Sequence, residues 1–306
     1  MKLCKYLFLK EYFFTLQWVR FAAPWLAVAL AGCATAPRYD WEHRLRGDTI
    51  VLLGEVHDNA EHHRQRLVVL RRALTAGWRP AIAMEQFDRE QQADIDRARA
   101  DRPRDAQHLI NLATQQGGAN RSNWNWNFYR PFVQLALEYD VPLIAANLSN
   151  ADTSKVVREG YAAVFEAGPL KSLRLDQPVP AELQAAQERE IDGGHCNVLP
   201  AKALPAMTRG QMARDAVMAS ILTKHAAVNE HAAQGVVLLA GNGHVRRDIG
   251  VPRWLDSALQ ARMLAVGFLE YGPAVPLDKA FDTAVRTAAA ERADPCIEFK
   301  KRIKAP

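Results

Sequence analysis

The sequence predicts an α/β fold, a mostly parallel sheet with helices on both faces and a helical insertion at about residues 151–232. Three observations lead there. Short β-branched runs are apolar at every position rather than alternating, as in strands buried on both faces. These runs alternate with stretches of helical periodicity, and strand–helix–strand units at such spacing build a parallel sheet. One long stretch, Ala151 to Ala232, carries helical signals and no strand signal.

Thr49-Ile50-Val51-Leu52-Leu53, ending at Gly54, is the first expected strand. A helix follows over 60–76, with Leu67, Val68, Leu70 and Leu74 at helical spacing and Gly77 as its stop. Pro80 to Met84 makes a second strand and Pro142 to Ala146 a third. Helices are expected between them near 89–98, 105–114 and 129–139. Within the insertion, 182–191 and 206–231 read as the clearest helices, separated by Gly193-Gly194-His195-Cys196 and by Pro200 and Pro205. The run 235–240 returns as a strand and 262–268 adds another. After Tyr271 the chain reads as loop, with some helix around 283–290.

The N-terminal segment stands apart from this pattern. Lys2, Lys5, Lys10 and Arg20 precede an apolar run from Phe21 to Ala31, which has the length of a secretion signal rather than of a permanent span. The run closes on Leu30-Ala31-Gly32-Cys33. That site resembles the bacterial lipobox, whose cysteine is acylated and becomes the new N-terminus; the rival reading is an uncleaved anchor with a chance cysteine. The expectation is therefore a signal over 1–32, lipid on Cys33, a tether over 33–45 and one domain over 46–306. Such a chain would sit in the cell envelope, anchored to the outer membrane.

Composition fits an exported globular domain. Of the 306 residues, 49% are hydrophobic, which excludes a disordered chain. The formal charge of +5 falls to about +2 without the signal's four bases and Glu11. Basic residues cluster only at Lys300 to Lys304, so nothing points to nucleic acid. Cys4 would leave with the signal and Cys33 would take lipid. The remaining pair, Cys196 and Cys296, is expected to form a disulfide in an oxidising compartment. Against this, Cys196 beside His195 could ligate a metal or haem.

The strongest chemical signal is a repeated step. Leu53-Gly54-Glu55-Val56-His57 and Ala240-Gly241-Asn242-Gly243-His244 both follow a strand with glycine and then histidine three residues on. Strand ends of open parallel sheets gather ligands, so the two histidines are expected to share one crevice. Glu55 accompanies the first, and Glu85 ends the second strand in Met84-Glu85-Gln86-Phe87. Two carboxylates and two imidazoles suit acid–base work or a divalent metal held by Glu55, His57 and His244. His62 and His63 read instead as a solvated first helical turn. Tyr129 lies within Trp124-Asn125-Trp126-Asn127-Phe128-Tyr129, whose aromatics could stack on a planar ligand and whose tyrosinate could ligate ferric haem; the same aromatics could equally seal a helix N-terminus. His43, His108, His225 and His231 show no partner pattern.

Taken together, the segments at Thr49–His57, Met84–Phe87, Ala145–Leu148, Gly193–Cys196 and Gly241–Pro252 resemble the ChaN-like haem-binding lipoproteins, over about residues 46–296. The wider superfamily includes the Tiki proteases and erythromycin esterase. The resemblance implies a lipid-tethered haem binder serving iron acquisition, with an outer-membrane haem transporter as a partner. In some members two haems stack across a homodimer. His57, Tyr129, His195 and His244 would then be the haem-contacting residues. It also implies an alternative, a hydrolase using Glu55, His57, Glu85 and His244 around a divalent cation or a bound water. A structural envelope lipoprotein is the plainest option.

Overall fold

The computed structural model describes residues 38–115, 124–226, 234–272, 280–294 and 296–297. The expected signal over 1–32 and its Cys33 lie outside the described residues.

Among the described residues six strands, β1 (Ile50–Leu53), β2 (Ala81–Asp88), β3 (Leu143–Asn147), β4 (Val236–Leu239), β5 (Met263–Glu270) and β6 (Thr283–Thr287), form one sheet in the order β3-β2-β4-β1-β5-β6. Every neighbouring pair is parallel. β1 and β4 are buried at each position, which is why their sequences run apolar without alternation. Parallel neighbours need crossovers, and helices supply them: α1 (Ala60–Thr75) after β1; α2 (Gln92–Asp101), α3 (Ala106–Gln115) and α4 (Trp126–Glu138) between β2 and β3.

The expected helical insertion is the crossover from β3 to β4. It contains α5 (Asn150–Glu159), α6 (Ala167–Ser172), α7 (Ala181–Gly194) and the long α8 (Leu204–Ala226). Met218, Ala219 and Leu222 of α8 pack on Ile50, Leu52, Ala83 and Leu238, covering one face of the sheet. On the other face Phe268 meets Trp41 edge-on and the ring of His62. Two short helices, α9 (Asn242–Val245) and α10 (Ser257–Ala261), complete the order before β5.

One expected element is different. Residues 283–290, read as partly helical, instead form β6, which pairs with β5 from Val266↔Thr283 to Glu270↔Thr287. The alanines of the following segment mimic a helix locally. Val285 and Thr287 are buried while Ala284 and Arg286 are exposed, a period-two pattern that the free edge of β5 turns into a strand.

Candidate functional site

The sheet order explains where the chemistry gathers. β4 lies between β1 and β2, with Leu53↔Leu239 and Met84↔Leu239 in register. The residues just beyond this level therefore stand side by side: Gly54-Glu55 and Ala240-Gly241 leave the C-terminal ends of β1 and β4, while Glu85, expected to end the second strand, lies within β2, which runs on past a register shift to Asp88.

Glu55 is buried at the centre of the first half-site. Its Oε1 accepts from His57 Nδ1 at 2.8 Å and from the Tyr129 hydroxyl at 2.6 Å. Its Oε2 faces the fully buried guanidinium of Arg66 and lies 3.2 Å from His63 Nδ1. Arg66 also donates to the Leu53 carbonyl at 3.1 Å, tying α1 to the end of β1. A buried carboxylate needs this company, because an unpaired charge out of water is strongly unfavourable. Since a carboxylate only accepts, Glu55 holds the proton of neutral His57 on Nδ1 and leaves the lone pair on Nε2. The His57 side chain is 49% exposed, against 0% for Glu55, so the imidazole is the part of this pair that solvent and ligands reach.

Glu85 governs the second half. Its Oε2 accepts the Gly241 amide proton at 2.7 Å, and its Oε1 lies 3.4 Å from His244 Nε2. On the far side of the ring, Asp215 Oδ1 lies 2.6 Å from His244 Nδ1. Burial disfavours the charged ring, but the two carboxylates outweigh it and raise the His244 pKa to about 10. Burial likewise pushes Glu85 up; His244, His57 and the Gly241 amide reverse this and lower it to about 2. Burial raises Asp215, opposed by His244. The result at neutral pH is an imidazolium between two carboxylates, with an N–H donor on each ring nitrogen.

Gly241 joins the halves. A Cβ there would stand 2.8 Å from His57 Cε1 and 3.7 Å from Glu85 Oε2, so only a bare glycine lets His57 close over Glu85. The two Gly-x-x-His steps thus reach one crevice, with Glu55 and Glu85 bordering it. Trp124 lines it edge-on to His57, with ring centroids 4.8 Å apart.

The sequence profile described as haem-binding uptake, Tiki superfamily, ChaN, matches residues 41–255. The chain belongs to this family of haem-binding uptake proteins. Among solved structures, one showing cofacial haem binding to ChaN of Campylobacter jejuni is similar at 20% identity and a TM-score of 0.57, covering 79% of this chain and 89% of that one. An erythromycin esterase variant in its open conformation is similar at 11% identity and a TM-score of 0.41, covering 77% and 74% respectively. No curated protein matches.

Within this ChaN-like fold the expected site residues fare differently. Glu55, His57, Glu85, His244 and Tyr129 come together. Tyr129 is buried, its hydroxyl donates to Glu55, and burial raises its pKa, so the phenolate expected for haem ligation is disfavoured here. His195 ends α7, where its Nδ1 lies 2.6 Å from the Ile191 carbonyl. Cys196 is bonded to Cys296, with Cα atoms 5.5 Å apart, and so is not a ligand. Among the described residues no group of three or more His, Cys, Asp or Glu side chains converges as a metal holder. The set Glu55, His57 and His244 departs from one because both His244 nitrogens already face carboxylates.

His62 and His63 overturn their reading as a solvated turn; both are buried. The loop Glu55–Asn59 folds back over the start of α1, so the Val56 amide donates to His62 Nδ1 at 3.1 Å, and His63 Nε2 donates to the His57 carbonyl at 2.9 Å. His63 also stacks on Phe128, centroids 4.6 Å apart, and burial lowers its pKa to about 4, keeping it neutral. Asp215 and Arg66 are the other participants that sequence reasoning missed, whereas Trp124 belongs to the aromatic run it had singled out. Asp215 sits among Met212, Ala213, Ala216 and Val217, and a lone acid on a buried helical stripe was the available signal.

Proposed function

We propose that this chain binds haem in the crevice between the His57 loop and α9, with His57 as the residue facing the iron. The observation that carries the reading is the His57 imidazole itself. It is half exposed, leaves the lone pair of Nε2 free of Glu55 on the edge that faces Gly241 across the crevice, and has its other nitrogen fixed by Glu55, as iron-ligating histidines are typically held by a partner on the second nitrogen. Trp124 adds an aromatic edge for a planar macrocycle. Haem bound there would supply an iron centre with an open coordination position; His57 would orient it and Glu55 would keep the ring in the right tautomer. Tyr129 then acts through Glu55.

Membership of a haem-binding uptake family supports this reading, and the cofacial haem of the Campylobacter jejuni protein supports a pair of stacked haems shared by two copies. The proposal extends to iron acquisition, with Cys33 lipidated and the domain tethered to the outer membrane near a haem transporter. No helix of the described residues is long and apolar enough to cross a membrane. The test is a haem titration of the domain beginning after Cys33. A saturable Soret change lost in His57→Ala and kept in Tyr129→Phe is expected; no saturable change in the wild type would overturn the proposal.

One observation favours a second reading. His57, backed by Glu55 and set against Glu85, also has the arrangement of a general base for a bound water. Ester or peptide hydrolysis abolished by His57→Ala, without haem uptake by the wild type, would favour it.

A further inference from the structure

The C-terminal segment after β6 is held in an unusual way. Residues 288–294 are exposed apart from half-buried Ala290 and contribute no core side chain. Polar clasps fasten it instead. Asn59, the N-cap of α1, donates through Nδ2 to the Ala288 carbonyl at 2.9 Å. The Ala290 amide donates to Glu270 at 2.8 Å, and Arg292 donates to Asp58, the neighbour of His57, at 2.7 Å. Then Cys296 is bonded to Cys196 just past α7. That helix touches the other half of the crevice: Gln187 donates to Asp215, the carboxylate on His244, at 3.3 Å. The tail is therefore clasped beside His57 and, four residues later, fixed covalently to the helix that braces the His244 side.

We propose that residues 288–294, held at their far side by the Cys196–Cys296 bond, form a redox-releasable strap that governs access to the crevice. With the disulfide formed, the strap ties the His57 loop to α7 and slows entry of a planar ligand; this second part rests on the haem reading above. A dithiol reductant releases it. One reductant thiolate attacks a sulfur of the Cys196–Cys296 bond, giving a mixed disulfide and freeing the other cysteine as a thiol. The second reductant thiol then closes on the first, so the dithiol is oxidised by two electrons and Cys196 and Cys296 both end reduced. What remains are the hydrogen bonds of Asn59 to Ala288 and of Ala290 to Glu270 and the ion pairs of Arg292, each a weak tether in water.

The test compares oxidised protein, protein reduced with dithiothreitol and desalted without oxygen, and the Cys196→Ser/Cys296→Ser variant. Two readouts are independent of haem: hydrogen exchange of residues 288–294, and the rate at which diethyl pyrocarbonate modifies His57 in oxidised and double-serine protein. Both should rise about fivefold or more when the bond is absent, as for a segment whose local opening has become easier. Haem association, followed by the Soret change, should accelerate in parallel. Arg292→Ala keeps the disulfide and removes a clasp, and should raise exchange in the tail even if the serine variant folds poorly. Unchanged exchange and unchanged His57 modification would overturn the strap. Faster His57 modification with no Soret change in any form would leave the strap standing and sink the haem reading. Haem bound at one rate in all forms would overturn the gating.

Discussion

Asp215 Oδ1 lies 2.6 Å from His244 Nδ1, joining the middle of α8 to the short helix that follows β4. Neither the strand end nor the long helix is a site alone; the contact makes His244 a buried cation with Glu85 on its other side. Replacing Asp215 by Asn removes one of the charges that hold the ring protonated. The His244 pKa should then fall from about 10, read by NMR titration of its ring protons. An unchanged value would mean Glu85 alone sets it.

His244, His63 and Glu85 together favour the folded state most near pH 6.5. His244, with its folded pKa raised to about 10, contributes stability that is full below its unfolded value and lost as pH rises towards 10. His63, lowered to about 4, is protonated first in the unfolded chain, so stability falls as pH drops from about 6.5 to 4. Glu85, lowered to about 2, extends that loss as pH falls from about 4.5 to 2. Thermal melts across pH 3 to 10 should show both limbs, and Asp215→Asn should flatten the basic one.

Gly241→Ala should disable the crevice while sparing the fold. The new methyl would meet His57 Cε1 at 2.8 Å, and the exposed ring, rather than the backbone, would give way. Haem affinity should drop about tenfold or more, the scale of losing one oriented ligand, with the melting temperature little changed. A variant that binds as the wild type does would show that His57 need not occupy its place over Glu85.

Arg66→Met should destabilise the domain by about 3–5 kcal/mol, because it strands the Glu55 carboxylate without its buried partner. Urea unfolding measures this. Arg66→Met combined with Glu55→Gln should recover part of the loss, as expected if the stranded charge is the cause.

Cys33→Ser should leave the protein unlipidated and free of the membrane fraction, checked by metabolic fatty-acid labelling and fractionation. Processing and anchoring equal to the wild type would remove the lipobox reading.

The places of the first five strands, though not their order in the sheet, were written in the sequence because a strand buried on both faces has no polar alternative at any position. Ile50 to Leu53 and Val236 to Leu239 therefore announce themselves. The Gly-x-x-His steps were legible for a related reason: glycine at a strand end marks a sharp turn, and Gly241 turns out to be required by the approach of His57. Glu55 was readable from its place beside the first turn, and Glu85 from its place after the apolar run of the second strand, although β2 continues beyond it to Asp88. What tertiary structure alone decided lies in contacts between distant segments. β6 is a strand because β5 offers it an edge, which no local propensity records. His62 and His63 are buried because the Glu55–Asn59 loop folds over them, although their own sequence context is that of a solvated helix start. Asp215 joins the site because the α8 crossover returns across the sheet to the end of β4. Charge pairing over such separations depends on where the helix packs, and side-chain packing rather than sequence spacing sets that.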